Sequence, residues 1–205
     1  MTDESKKSPQ FYQEEDYNFP YHHLPQIKNG SWNFGLSLFD TFDYLTLMEF
    51  ILNEIKKDSP KTILDFGCGD GRLTKEIINR FNSEIYGVDI SQKALTFAKI
   101  LCNITNKNLI FFNNLKDLPS IKFDFIVATE VIEHIDEKEL PNVLRDIYEI
   151  ISDDGTFLIT VPSIIRQPIP KKHYRHYTLE LLQEQLGEFF IIEKINYLNK
   201  KSNLN

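Results

Sequence analysis

The chain has 205 residues, 41% hydrophobic and 26% charged. That is a globular mix, long enough for one domain with a substantial core, and it excludes global disorder. Lys and Arg number 23 against 30 Asp and Glu, a formal net charge of −7, which argues against a duplex or long-RNA partner with its need for a broad basic footprint.

The N-terminal segment 1–10 reads as a frayed polar tail. Residues 11–58 read as an N-terminal arm and helix that serve as a lid or substrate cover. Of the 16 Phe, 9 Tyr and one Trp, ten stand in the first 44 residues. Within 11–40 they mix with prolines and the His22–His23 pair, without helix or strand period. The segment from Phe19 to Pro25, with Trp32, Phe34 and Phe39, is expected to cover a ligand site. Its rings suit packing on a sugar or another ring. An arm that only covers a helix or makes a dimer contact is the competing reading. From Thr41 to Lys57 the apolar spacing predicts a helix, stopped by Ser59 and Pro60.

Residues 59–205 then alternate short apolar runs with helical spacing. Strands are predicted at 62–66, 85–89, 109–112, 123–129 and 156–161, with a sixth at 189–198. Helices are predicted at 72–81, 91–102 (capped by Ser91), 140–151 (ended by Asp153–Gly155) and 179–186 (capped by Thr178). This rhythm predicts an α/β fold with a doubly wound, mostly parallel sheet, whose ligands bind beyond the carboxyl ends of the strands. Neither an apolar run of membrane-spanning length nor an apolar leader is visible, and Cys68 and Cys102 make no disulfide framework. A reduced, cytoplasmic protein is expected.

The first strand runs into LDFGCGDGR at 64–72, where glycines let the backbone turn tightly beside a ligand. Asp65 precedes the first glycine; it would repel a pyrophosphate but suits a ligand ammonium. Asp89 ends the second strand, where a carboxylate can accept both ribose hydroxyls. A dinucleotide site is the nearest rival and would want a third glycine in the G-x-G-x-x-G spacing.

With YGVDIS at 86–91, NNLKDLP at 113–119, FDFIVATEVIEHI at 123–135 and GTFLITVP at 155–162, the sequence resembles the class I S-adenosylmethionine-dependent methyltransferases. The resemblance spans roughly residues 60 to 195. It implies a Rossmann-like sheet, here with the usual seventh strand in question. It also implies a cofactor site in which Gly67 and Gly69 approach the methionyl part with Asp65 nearby. Asp89 and Ile90 would serve the ribose end, Asn114 and Leu115 the adenine, and Glu130 would contribute at the fourth strand end.

Glu130, Glu133 and His134 fall at i, i+3 and i+4, one face of a helical turn. This is an oxygen-rich set suited to Mg²⁺ or Mn²⁺. After the fifth strand, Lys171–Thr178 adds His173, Arg175 and His176 as candidate ligand, base or anion clamp. The E-x-x-E-H string is similar to that of small-RNA terminal 2′-O-methyltransferases and of ubiquinone-biosynthesis O-methyltransferases, where it binds a divalent cation. Carried over, the ligands would be Glu130, Glu133, His134 and His176. Arg175 stands where the RNA enzymes have Asp, and the segment instead resembles the H-x-R-x-Y-T stretch of small-molecule methyltransferases, some of them in sugar and surface-polysaccharide pathways. Metal-free members carry the same string, so His134 as a base or as a structural residue stays open.

The expected protein is therefore an O-methyltransferase acting on a small-molecule acceptor. The alternatives are a quinone or RNA 2′-O-methyltransferase, or a cofactor-binding partner protein without acceptor chemistry. The sequence carries no reading of oligomeric state.

Overall fold

The computed structural model describes residues 7–18, 26–28, 31–33, 38–102 and 108–198. In chain order the elements are α1 (Pro9–Glu15), β1 (Gln26–Lys28), β2 (Ser31–Asn33), α2 (Leu38–Asp58), β3 (Thr62–Phe66), α3 (Arg72–Arg80), β4 (Glu84–Val88), α4 (Gln92–Leu101), β5 (Leu109–Phe112), β6 (Phe123–Thr129), α5 (Leu140–Ile150), β7 (Ile151–Thr160) and α6 (Leu179–Leu186). Five strands form one parallel sheet in the order β5-β4-β3-β6-β7. The order reverses between β4 and β6 around the central β3, and a ligand crevice opens at such a switch point.

Successive β3 residues point to opposite faces, and both faces are covered. Ile63 joins Ile51, Leu52 and Ile55 of α2 and Leu73 and Ile77 of α3. Leu64 joins Tyr86, Ile126 and Ile147 on the other side. Burial on both faces is why the strands read as unbroken apolar runs rather than alternating ones. The predicted caps form: Ser91 Oγ accepts from Ala94 N at 3.2 Å and Thr178 Oγ1 from Leu181 N at 3.2 Å. No helix of the described residues is long and apolar enough to cross a membrane.

Three expectations change. Helix α1 starts at Pro9, inside the expected polar tail, because Ser8 Oγ accepts from Phe11 N and proline opens the first turn. Strand β7 begins at Ile151, directly after α5. Its register jumps from the pair Phe123–Ile151 to Phe125–Thr156. Asp153–Gly155 thus forms a bulge, while Ile151 stays buried beside Phe123. The sixth predicted strand, 189–198, has no regular secondary structure. Phe190 packs on Phe157 and Tyr148, with ring centroids 5.0 and 6.0 Å apart. Beyond it Ile191 is 92% exposed, while Ile192 packs on the Leu140–Leu144 cluster and Lys194 Nζ reaches Glu54 Oε1 at 3.2 Å, so the segment is held by side chains alone. An apolar run without a ladder partner is not a strand. The arm residues 19–25 and Phe34, and the side chains of Trp32 and Phe39, lie outside the described residues.

Candidate active site

The β3–α3 turn holds three left-handed glycines, Gly67, Gly69 and Gly71, at φ 74°, 53° and 81°. Gly67 N and Cys68 N both donate to Val88 O, at 2.7 and 3.0 Å, binding the turn to the end of β4. A Cβ on Gly67 would overlap the Val131 methyls, and one on Gly71 would stand 2.9 Å from the Ala98 Cα. Packing therefore requires glycine at both positions, and Gly67 and Gly69 also line the cleft.

Asp89, 7% exposed, accepts from Gly69 N at 2.9 Å and from Ser91 N at 2.8 Å. One carboxylate thus ties the glycine turn to the start of α4. Burial pushes its pKa up, and the two backbone donors oppose that. Ile90 beside it lines the cleft at 71% exposure, an apolar surface at a polar strand end.

Three residues implied by the resemblance sit differently. Asp65 is 2% exposed, and its carboxylate takes the Thr74 hydroxyl at 2.5 Å rather than lining the cleft. Asn114 caps the short 3₁₀ turn at Leu115–Asp117, accepting from Lys116 N. Leu115 packs against the Tyr86 cluster. Asn113, which sequence reading passed over, donates from Nδ2 to Asp89 O and Ile90 O, both at 2.9 Å. It braces the segment it follows in space, and nothing local distinguishes it from its neighbour.

Burial raises the Asp65 pKa from 3.8 to about 7, with the charge of Asp89 adding and the Thr74 hydrogen bond opposing. A carboxyl raised on folding contributes stability that is whole below 3.8 and lost as pH climbs through about 7. Asp65→Asn should therefore raise the melting temperature of the cofactor-free protein at pH 8, by the equivalent of up to ~4 kcal/mol, with the gain fading toward pH 4. Thermal melts across that range check this, and a gain that does not vary with pH contradicts it.

At the end of β6 the backbone turns left-handed at Glu130 (φ 54°) and enters a 3₁₀ turn, Ile132–His134. The left-handed step removes the expected helical face. It sends the Glu130 carboxylate to the Thr160 hydroxyl, at 3.2 Å. Glu133 goes inward: it is 0% exposed, and neither carboxylate oxygen has a hydrogen-bond partner among the described residues. His134 Nδ1 lies 2.9 Å from Lys172 O. A carbonyl only accepts, so Nδ1 carries the proton and Nε2 presents its lone pair, 3.9 Å from Glu133 Oε1.

The second segment folds over this turn. Tyr174 N donates to Glu133 O at 2.8 Å, and Arg175 Nη1 donates to Ile132 O at 2.9 Å. Ligand atoms of Glu133, His134 and His173 lie within 4.8 Å of one another. His176 stands behind, its Nε2 2.9 Å from His173 Nδ1. Of the four expected ligands the structure groups only Glu133 and His134. It adds His173 and leaves Glu130 and His176 outside. Arg175, 5% exposed, braces the turn instead of lining the cleft. Burial raises Glu133 to about 9, helped by the charge of Glu130. It lowers His134 to about 4 and His173 to about 3. The site thus holds a neutral acid beside two neutral imidazoles at pH 7.

Gly67 and Gly69 follow β3, Asp89 and Ile90 follow β4, and Glu133 follows β6, so these residues gather beyond the carboxyl ends of the strands, where His173 joins Glu133, and each lines the cleft there. Gln10 and Tyr17 of the N-terminal segment and Tyr44 of α2 also line it. Tyr17 and Tyr44 fall within the expected cover, though the sequence singles out none of the three as a site residue.

The chain is 31% identical over 156 residues to an uncharacterised protein of Methanocaldococcus jannaschii, covering 72% of this chain and 57% of that one. It is 34% identical over 90 residues to the mitochondrial ubiquinone biosynthesis O-methyltransferase of Candida albicans, covering 41% and 28%. The chain therefore spans little more than half of the first relative and less of the second. The N-methyltransferase NodS of Bradyrhizobium japonicum, solved with S-adenosyl-L-homocysteine, superposes with a TM-score of 0.59 at 14% identity, over 71% of this chain and 74% of that one. Residues 40–205 match the family model described as a methyltransferase domain; with the glycine turn, Asp89 and the parallel sheet in place, the chain belongs to the class I S-adenosylmethionine-dependent methyltransferase family.

Proposed function

We propose that the protein transfers the methyl group of S-adenosylmethionine to a hydroxyl of a small acceptor, of the sugar or sugar-nucleotide type, beside a divalent Mg²⁺ or Mn²⁺ held by Glu133, His134 and His173. The observation that carries the reading is the Glu133 carboxyl, wholly buried and without a hydrogen-bond partner among the described residues, facing two imidazoles at the cleft. An isolated buried carboxylate is costly, and a cation or a proton relieves it. The donor set is one carboxylate and two imidazoles whose outer nitrogens are tied by Lys172 O and His176; with Glu130 outside it is less oxygen-rich than the spacing implied, and it suits Mn²⁺ better than Mg²⁺.

When bound, such an ion would act as a Lewis acid and make a hydroxyl more acidic. The rest of the task falls to the chain. Sulfonium transfer is an in-line displacement with an activated donor, so alignment and exclusion of water dominate. Asp89 and the glycine turn would hold the cofactor, with Ile90 against its ring. The Lys171–Tyr177 segment would form the acceptor wall. His134 and His173, held low by burial, suit ligands better than bases, because a general base works best near the ambient pH. The ubiquinone-pathway relative supports an oxygen acceptor. The sugar type rests on the aromatic front of the sequence and on the H-Y-R-H-Y-T segment.

The test is a screen with labelled S-adenosylmethionine across sugar nucleotides, phosphorylated sugars, phenols and short RNA, each with Mn²⁺ and with EDTA. Turnover on a sugar-type hydroxyl that EDTA abolishes and Mn²⁺ restores is the expected result. Equal turnover in EDTA sinks the metal reading; turnover on phenols alone or on RNA alone sinks the acceptor reading.

A further inference from the structure

Helix α1 and the turn after it, residues 9–18, lie outside the family-matched part of the chain yet touch both ends of the cleft. At the acceptor end, Gln10 bridges two elements. Its Nε2 donates to His134 O at 3.4 Å, and its Oε1 accepts from the Tyr174 hydroxyl at 2.9 Å. Lys172 Nζ pairs with Asp16 Oδ2 at 2.7 Å, and Lys171 Nζ stands 5.3 Å over the Tyr12 ring. At the cofactor end, Lys93 of α4 reaches Asn18 Oδ1 at 2.8 Å and Glu14 Oε2 at 3.8 Å. The Tyr17 hydroxyl stands 3.0 Å from where a Cβ on Gly69 would be.

No residue of α1 is buried. The segment is attached chiefly by ion pairs and hydrogen bonds at exposed or half-exposed positions, each weak alone and screened by salt. A segment with so little apolar burial can open without disturbing the core. A cofactor seated at the glycine turn would lie beneath it and would need it open to leave.

We propose that residues 9–18 form a polar strap over the cleft, in which Tyr17 contacts the cofactor at the glycine turn and Gln10 is a positioning residue for the His134–Tyr174 wall. The inference rests on reading the cleft as the methyltransferase site. Because one short segment holds both ends, cofactor occupancy and acceptor-wall order become coupled, and the coupling runs equally in both directions.

The experiment uses the full chain and S-adenosylhomocysteine, with calorimetry for affinity and hydrogen exchange for local order. Tyr17→Phe, which removes one hydroxyl from a half-exposed ring, should weaken binding by about 3- to 10-fold. In the wild type the ligand should slow exchange at 67–71, 9–18 and 172–177. In Asp16→Ala/Lys93→Ala, and in Gln10→Ala, it should still slow 67–71 but no longer 172–177. High salt should make the wild type behave like the double variant. Unchanged affinity in Tyr17→Phe, or ligand protection of 172–177 undiminished in the variants, overturns the strap. Failure of the wild type to protect 67–71 overturns the cleft reading and the strap with it.

Discussion

Glu133→Gln should cost about 10²- to 10⁴-fold in turnover while the protein keeps its fold and still binds S-adenosylhomocysteine. Both expectations follow from where the side chain sits. Burial already makes Glu133 neutral at pH 7, its pKa being raised to about 9, so glutamine replaces one neutral planar group by another of the same size. No hydrogen bond to either carboxylate oxygen is lost, because none is made among the described residues. What disappears is the ability to give up its proton and become an anion when a cation arrives. His134 and His173 cannot substitute: imidazole nitrogens bring lone pairs without charge. Mn²⁺ titration monitored by electron paramagnetic resonance checks the assignment directly. Tight binding by the wild type should fall to the level of free ion in the variant. Equal Mn²⁺ affinity in both proteins, or unreduced turnover in Glu133→Gln, would place the ion or the chemistry elsewhere.

The second large effect is expected at Asp89. Asp89→Ala should weaken S-adenosylhomocysteine binding by at least about 10²-fold, because hydrogen bonds to a charged group are each worth about 1.5–3 kcal/mol. The carboxylate accepts from Gly69 N and Ser91 N, so its loss leaves two donors unmatched at a nearly buried position. The glycine turn also loses its tie to α4. The lone pairs facing the cleft, which would take ribose hydroxyls, go with it. Asp89→Asn should fall between, since the amide keeps one acceptor oxygen but turns a donor toward Gly69 or Ser91. Calorimetry on the three proteins orders them. Wild-type affinity in Asp89→Ala would remove this residue from the cofactor site.

The residues that could be assigned from the linear chain share one property: their placement depends on local rules. Strand ends at Phe66, Val88 and Thr129 deliver Gly67, Asp89 and Glu130 to one edge of a parallel sheet, and the glycines and caps around them are short-range features. The grouping of ligands depends on more. Spacing put Glu130 with Glu133, but one left-handed residue sent Glu130 to Thr160. His173 and His176 are three residues apart, and only the fold of their segment over Ile132–His134 decided which faces Glu133 and which stands behind.

The sequence by itself determined the fold class, the β3 glycine turn, the carboxylate after β4 and the two histidine-bearing segments that meet beyond β6, because apolar period and turn chemistry act between near neighbours. Only the tertiary structure decided that Asp65 faces Thr74, that Arg175 is a brace, that 189–198 makes no strand, and that α1 spans the cleft. Those outcomes are contacts between residues far apart in the chain. The strap is the clearest case: its partners lie 75 to 164 residues away, and with no buried face it leaves no hydrophobic pattern to read.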